Sequence, residues 1–318
     1  MYNYLEFEKP IADLESKIFE LKKLSEDKDS LDVSDEIARL EKRSRNALLD
    51  IYKRLTPWQK TQVARHPNRP HFVDYCQQLF TEVTFLSGDR KFGDDAAIQA
   101  GFARFHGEPI VFLGQERGHD IKTRMHHNFG SARPEGYRKA VRVMDLAHRF
   151  SLPILSLVDT SGAYPGVSAE ERGQAEAIAS STAKMLEVEV PVVSVVLSEG
   201  GSGGAIAIAA ANKVFMLEHA IYSVISPEGA ASILWRDSTR AKDAASNMRI
   251  TAQDLLELKV IDGIIAEPLG GAHRDKEMVI EKTGQVLCEA LQSFAGKDGK
   301  AIKEERRQRF LEIGRNLS

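Results

Sequence analysis

Apolar residues near the start of the chain follow a helical period. Ile11, Leu14, Ile18 and Leu21 alternate at spacings of three and four, which draws one apolar stripe along a helix. Asp27-Lys28-Asp29-Ser30 interrupts the stripe, and Ile37, Leu40, Leu48, Leu49 and Ile51 carry a second helix. The pattern predicts a helical region over 1–60 ahead of a main domain over 61–318. The stripe closes either within the chain or against a partner subunit, and periodicity alone leaves both open.

The pattern changes after His66-Pro67-Asn68-Arg69-Pro70, a proline-pinned extended connector. Strands are expected at 97–105 and 110–114, joined by a turn at His106-Gly107-Glu108-Pro109. A helix is expected at 138–150 and a buried strand at 153–158. That strand runs into Asp159-Thr160-Ser161-Gly162-Ala163-Tyr164-Pro165-Gly166. One long helix over 169–187 leads to a β-branched strand at 192–197 and a second glycine turn, Gly200-Gly201-Ser202-Gly203-Gly204. An Ala/Ile helix follows. Short strands at 214–217, 222–225 and 261–265 and a helix at 252–258 complete the reading. Two strand-to-glycine-turn units joined by one helix resemble crossover units, which put successive turns at the same end of a sheet. Both turns should therefore border one site.

The second turn supports four readings. A phosphate-binding P-loop needs Lys-Ser/Thr after its last glycine, where this chain has Ala205-Ile206. The dinucleotide fingerprint needs a glycine where Ile206 stands. A serine hydrolase fits G-x-S-x-G literally at Ser202, with Asp262 and His273 downstream as acid and base. Against it, glycines flank the serine on both sides, without the framework that strains a nucleophile, and the first turn would have no role. The fourth reading is a backbone oxyanion hole, with the N–H groups of Gly203 and Gly204 as donors at a helix N-terminus.

Composition narrows the partners. A net charge of −3 offers no general attraction to nucleic acid or an anionic membrane surface. No apolar run approaches the ~20 residues of a membrane span, and Met1–Glu8 lacks a signal-peptide pattern, so the expected location is cytoplasmic. Two cysteines, Cys76 and Cys288, support neither a disulfide framework nor a thiolate zinc site. The basic run Lys303–Arg309 is interleaved with acids and reads as a solvated helix face. Adjacent His126 and His127 point ~100° apart on a helix, which favours the surface over a metal. Glu199 either orients the turn through a backbone hydrogen bond or faces solvent. Tyr137, Arg138 and Lys139 line the cleft or a helix surface, and Arg172 pairs with Glu170 or Glu171.

Several segments, in order along nearly the whole chain, resemble the carboxyltransferase α subunits of bacterial acetyl-CoA carboxylases. They are Ala64-Arg65-His66-Pro67, Pro134-Glu135-Gly136-Tyr137-Arg138-Lys139-Ala140, the Asp159–Gly166 turn, Ala169-Glu170-Glu171-Arg172-Gly173-Gln174 and Glu199–Ala205. Ile225-Ser226-Pro227-Glu228-Gly229, Ala231-Ser232-Ile233-Leu234-Trp235 and Glu267–Arg274 extend the likeness. Ser161, Ser131 and Ala230 depart from it, standing where the family usually has Pro, Met and Cys.

The resemblance implies an α/β fold of the crotonase-like (ClpP/crotonase) type, a spiral of ββα units with an N-terminal helical extension. It implies transfer of a carboxyl group from carboxybiotin, carried on the biotin carboxyl carrier protein, to acetyl-CoA, giving malonyl-CoA for fatty acid biosynthesis. Gly203 and Gly204 would hold the ureido oxygen. Gly162, Ala163, Tyr164 and Gly166 would form the facing wall, and Gly200 and Gly201 would line the substrate. No side-chain base is required, because the biotin nitrogen would take the acetyl proton. The implied partners are a carboxyltransferase β subunit in an α2β2 heterotetramer, the carrier protein and biotin carboxylase. No cofactor is expected on this chain, and zinc is expected only in β.

Overall fold

The computed structural model describes residues 3–25 and 33–315. The break expected at Asp27–Ser30 lies outside the described residues. Helix α1 (Lys9–Ser25) and helix α2 (Ser34–Tyr52) carry the two apolar stripes. Ile11 and Ile18 are buried, and Leu14 and Leu21 are half-buried. Ile11, Leu48 and Tyr52 join Val63 of α3 (Pro57–Ala64) in a small core of their own, so the start of the stripe packs within the chain.

The connector 66–70 leads through α4 (Phe72–Leu79) to β1 (Phe80–Phe85), an element that the hydrophobic pattern missed. Four of the six β1 residues are exposed, so no alternation marks it. β2 (Ile98–Phe105) and β3 (Glu108–Gln115) follow, then α5 (Ile121–His126) and α6 (Pro134–Phe150). β4 (Ile154–Thr160) comes next, then α7 (Val167–Glu170) and α8 (Gln174–Glu187). The single helix expected over 169–187 is therefore two. Gly173, at φ +80°, turns the chain in a conformation that L side chains rarely adopt and starts α8 afresh.

β5 runs from Val192 to Gly201, four residues further than the apolar run predicts, and α9 (Ser202–Ala209) starts at once. The expected five-residue turn is thus a strand end joined directly to a helix start. β6 (Lys213–Leu217), β7 (Ile221–Ser223), α10 (Pro227–Trp235), α11 (Ala241–Asn247), α12 (Ala252–Glu257) and β8 (Gly263–Ile265) follow. The last elements are α13 (Lys276–Gln292) and α14 (Gly299–Glu312).

The eight strands form one sheet in the order β1-β2-β3-β4-β5-β6-β8, with β7 beside the end of β5. β1, β2 and β3 pair antiparallel, and every pairing from β3 onward is parallel. β4 and β5 are buried along their whole length, as expected for parallel strands covered on both faces. Their register pairs Thr160 with Gly200, which brings the two glycine turns to the same sheet end, side by side.

The basic run on α14 departs from its expected solvated character at one position. Arg306 is fully buried and donates to the carbonyls of Met185, Val188 and Val190 and to Asn212 Oδ1. Burial alone pulls its pKa down to about 10, so it remains a cation at neutral pH.

Candidate active site

Both turns are built around close backbone approach. A methyl group added at Gly201 would lie 2.2 Å from the Ser161 carbonyl oxygen, and one at Gly204 would lie 2.8 Å from both the Ala163 nitrogen and the Gly162 carbonyl carbon. Glycine at these two positions is what lets the turns touch. At Gly203 the same methyl meets only the Ile178 side chain, at 3.2 Å. Gly200 is buried under the Tyr222 ring, where a methyl would sit 2.7 Å from a ring carbon.

Gly203 and Gly204 are the second and third residues of α9. Their N–H groups therefore fall among the first-turn donors that no helical carbonyl can satisfy, and no side chain caps this end. The partial positive charge of the helix N-terminus adds to the field there. A cavity of about 360 Å³ opens beside Gly203, lined by Ser202, Gly203, Ile206, Tyr222, Val224 and Leu255 among others, while Gly204 is buried against the first turn. Tyr137, expected at the cleft or on a helix surface, is fully buried beneath the turn. Its hydroxyl has no hydrogen-bond partner and would lie 3.1 Å from a methyl on Gly204.

The first turn is held rigid from behind. The Gly162 N–H donates to Thr160 Oγ1, whose hydroxyl donates to the Gly162 carbonyl, so this N–H is spent on the turn itself. The Tyr164 N–H donates to the Ala132 carbonyl, and Gln174 Nε2 donates to the carbonyls of Ala132 and Tyr164. The Tyr164 ring packs over Gly166 and under the Arg133 guanidinium, 4.6 Å from the ring centre. Gly162, Ala163, Tyr164 and Gly166 thus stand together as a wall beside Gly201–Gly204.

A chain of charges, buried at Asp159 and Glu199 and half-buried at Arg117, Arg65 and Glu228, joins the ends of β4 and β5. Arg117 donates to Asp159 Oδ1 at 3.2 Å and to Glu199 Oε2 at 2.9 Å, which bridges the ends of β4 and β5. Arg65 donates to Glu199 Oε1 at 2.7 Å and to Glu228 Oε1 at 2.6 Å. Burial works to raise the pKa of Asp159, but Arg117, and after it His71, hold it below the usual carboxylate range. Burial works to lower that of Arg117, and Asp159 and Glu199 raise it above its ordinary value. Glu199 therefore does not face solvent: its carboxylate lies between two arginines, and its backbone N–H donates to Asp159 Oδ1 at 3.5 Å. Periodicity carried no signal for this, because the partners come from distant segments.

Other expected pairings change as well. Arg172 pairs with Glu135, at 2.6 Å, and not with Glu170 or Glu171. Arg138 pairs with Asp89 and Glu135, and Lys139 with Asp94. His126 is exposed, and His127 Nδ1 lies 2.7 Å from the Ala96 carbonyl oxygen.

Ser202 has φ +51°, so the serine is strained even with glycines on both sides, and that argument against a hydrolase fails. The missing partners decide the matter. Asp262 accepts from Arg309 and from the Val214 N–H, and the His273 ring stacks on His66 with centres 3.7 Å apart. Neither is hydrogen-bonded to the other or to Ser202, and Ser202 itself is exposed.

Residues 4–314 match the family described as acetyl co-enzyme A carboxylase carboxyltransferase-like. A Bartonella tribocorum protein named acetyl-coenzyme A carboxylase carboxyl transferase subunit alpha is 72% identical over 318 residues, covering 100% of both chains. A protein of the same name from Brucella ovis is 69% identical over 317 residues, again covering 100% of both. Among solved structures, transcarboxylase 12S with methylmalonyl-coenzyme A bound aligns at TM-score 0.59 and 20% identity, over 71% of this chain and 42% of that one. The β subunit of P. aeruginosa geranyl-CoA carboxylase aligns at TM-score 0.55 and 16% identity, over 79% of this chain and 46% of that one. These likenesses give the fold as crotonase-like α/β.

Proposed function

The chain belongs to the family of acetyl-CoA carboxylase carboxyltransferase α subunits, and from that premise we propose that Gly203 and Gly204 form the oxyanion-binding edge of its active site. The enzyme is a carboxyltransferase, and its product is malonyl-CoA, the carboxylated form of acetyl-CoA used in fatty acid biosynthesis. The observation that carries the site assignment is the contact of two glycine turns at the carboxyl ends of β4 and β5. There the first-turn N–H groups of α9 lack helical partners.

Carboxybiotin, the carboxyl donor in this reading, supplies an activated carboxyl group and a ureido oxygen on which negative charge develops. The N–H groups of Gly203 and Gly204 would hold that oxygen. Such donors are effective because they are fixed before the charge appears. Gly162, Ala163, Tyr164 and Gly166 form the facing wall, and Gly200 and Gly201 shape the floor. The residues Ile206, Tyr222, Val224 and Leu255 line the open cavity beside Gly203 and give it an apolar side. None of these groups has to move a proton.

The name α subunit implies other subunits. In our reading a β subunit supplies most of the acyl-CoA side and carries the zinc, in an α2β2 heterotetramer. The biotin carboxyl carrier protein delivers the donor, and biotin carboxylase completes the enzyme. No helix among the described residues is long and apolar enough to cross a membrane; the location in our reading is cytoplasmic. The test is reconstitution. Malonyl-CoA-dependent carboxylation of a biotin derivative is expected from α mixed with β and not from α alone. Full turnover by α alone would refute the shared site.

The serine is tested separately. Ser202→Ala is expected to keep most of the reconstituted activity, and a fluorophosphonate probe to leave the wild-type chain unlabelled. Stoichiometric labelling at Ser202, together with an inactive alanine variant, would reinstate the hydrolase.

A further inference from the structure

Gln115, the last residue of β3, lies under the junction of the two turns and is fully buried. Its side-chain nitrogen donates to the Gly204 carbonyl at 2.7 Å, and its oxygen accepts from the Asp159 N–H at 3.1 Å. Both partners are backbone groups with fixed roles, so the amide has one orientation only. Two residues on, Arg117 makes the second bridge, between the carboxylates of Asp159 and Glu199. A single short segment thus ties β4, which carries the first turn, to α9 and β5, which carry the second.

Resting on the active-site reading above, we infer that Gln115 is a positioning residue for carboxyl transfer: by holding the Gly204 carbonyl, its amide sets where the first turn of α9, with the Gly203 and Gly204 N–H groups, stands relative to the first glycine turn. An apolar residue of the same length fills the space but leaves the Asp159 N–H without its acceptor in the interior and removes the one bond that ties the Gly204 carbonyl, otherwise held only within α9, to β3, so α9 gains freedom to shift. A displacement of an ångström at a reacting centre costs about 10²-fold in rate.

The experiment uses the reconstituted α–β complex with Gln115→Met and Gln115→Glu. Gln115→Met is expected to lower kcat by about 10²-fold, with KM for the acyl-CoA and complex assembly close to wild type and a melting temperature lowered because a buried N–H has lost its acceptor. Gln115→Glu separates positioning from packing. Ionised, its carboxylate faces the Gly204 carbonyl, acceptor against acceptor. Protonated, it donates to that carbonyl and still accepts from the Asp159 N–H. The ratio of its kcat to wild type is therefore expected to rise as pH falls, while the methionine deficit stays flat. The charged and titratable groups linked to its two partners are Asp159, with His71 and Arg117 on its carboxylate and Glu199 beyond Arg117, and the Tyr137 hydroxyl beside Gly204, while the buried Glu116 follows in the chain; all are common to wild type and variant.

Hydrogen exchange across residues 199–205 of the free chain gives a readout independent of activity and is expected to quicken in Gln115→Met. Wild-type kcat in Gln115→Met, a pH-independent ratio for Gln115→Glu, or unchanged exchange would each overturn the inference. Failure of the parent reading has a different signature, a wild-type complex with no transferase activity.

Discussion

Gly204→Ala is expected to lower kcat of the assembled carboxyltransferase by ~10²–10³, the usual cost of losing one oxyanion donor. The added methyl falls 2.8 Å from two backbone atoms of the first turn, Ala163 N and Gly162 C, and neither can rotate away as a side chain does. The turns must separate, and the N–H of residue 204 moves with its peptide. Overpacking of this kind also lowers stability by about 1–3 kcal/mol. Melting temperature and size-exclusion with β should therefore accompany the kinetics. Gly203→Ala, whose methyl meets only the Ile178 side chain at 3.2 Å, is the milder change and is expected to fold and assemble normally. A Gly204→Ala complex with undiminished kcat would remove this peptide from catalysis.

Glu267→Gln is expected to destabilise the chain by about 3–5 kcal/mol, the range for removing one charge of a buried pair. Arg69 and Glu267 are 1% and 0% exposed and face one another through two bonds, of 2.8 and 2.7 Å. Arg69 also donates to the Leu197 carbonyl, and Glu267 accepts from the N–H groups of His219 and Ala272. The pair thus fastens the connector before α4 to β5 and to the loop after β8. Urea unfolding of Glu267→Gln, and of a double variant that adds Arg69→Met, measures the effect. The double variant no longer buries an unpaired guanidinium and is expected to recover part of the loss.

The same pair sets an acid limit. Burial would raise the Glu267 pKa, but Arg69 holds it at about 2, below its ordinary 4.5. Its contribution is present above about 4.5 and is lost as pH falls through about 2. Glu267→Gln should lack that part of the acid limb.

The sequence was legible where physics is local. The β-branched run 192–197, the glycines after it and the Ala/Ile run gave strand, junction and helix in order, because each depends on neighbours within a few residues. The placement of the two turns at one sheet end was also readable, since a strand–helix–strand repeat has few topologies. What stayed hidden depends on distant partners. Nothing near Glu199 announces Arg65 and Arg117, and nothing near Arg306 announces four acceptors from α8, its following loop and Asn212. Gln115 stood one residue past the expected strand 110–114, and nothing in its neighbours marked it. The strain at Ser202 was misread for a related reason: a residue's φ is fixed by how the strand end meets the helix, and flanking glycines do not prevent it.

Helix α8 has a further consequence through its two ends. At one end Gln174 grips the first glycine turn, and near the other Arg306 of α14 takes the carbonyls of Met185 and Val188. During synthesis the turn emerges long before residue 306 does. Helix α8 is already held along its length by the main core, by Ser181 on the Ala207 carbonyl and by Lys184 on Asp145, so what α14 adds is a partner for the carbonyls at its far end. A nascent chain halted ahead of α14 would carry every residue assigned to the active site and still leave those carbonyls without their guanidinium. The closing helix, which carries none of the assigned site residues, thus completes the support behind the catalytic wall.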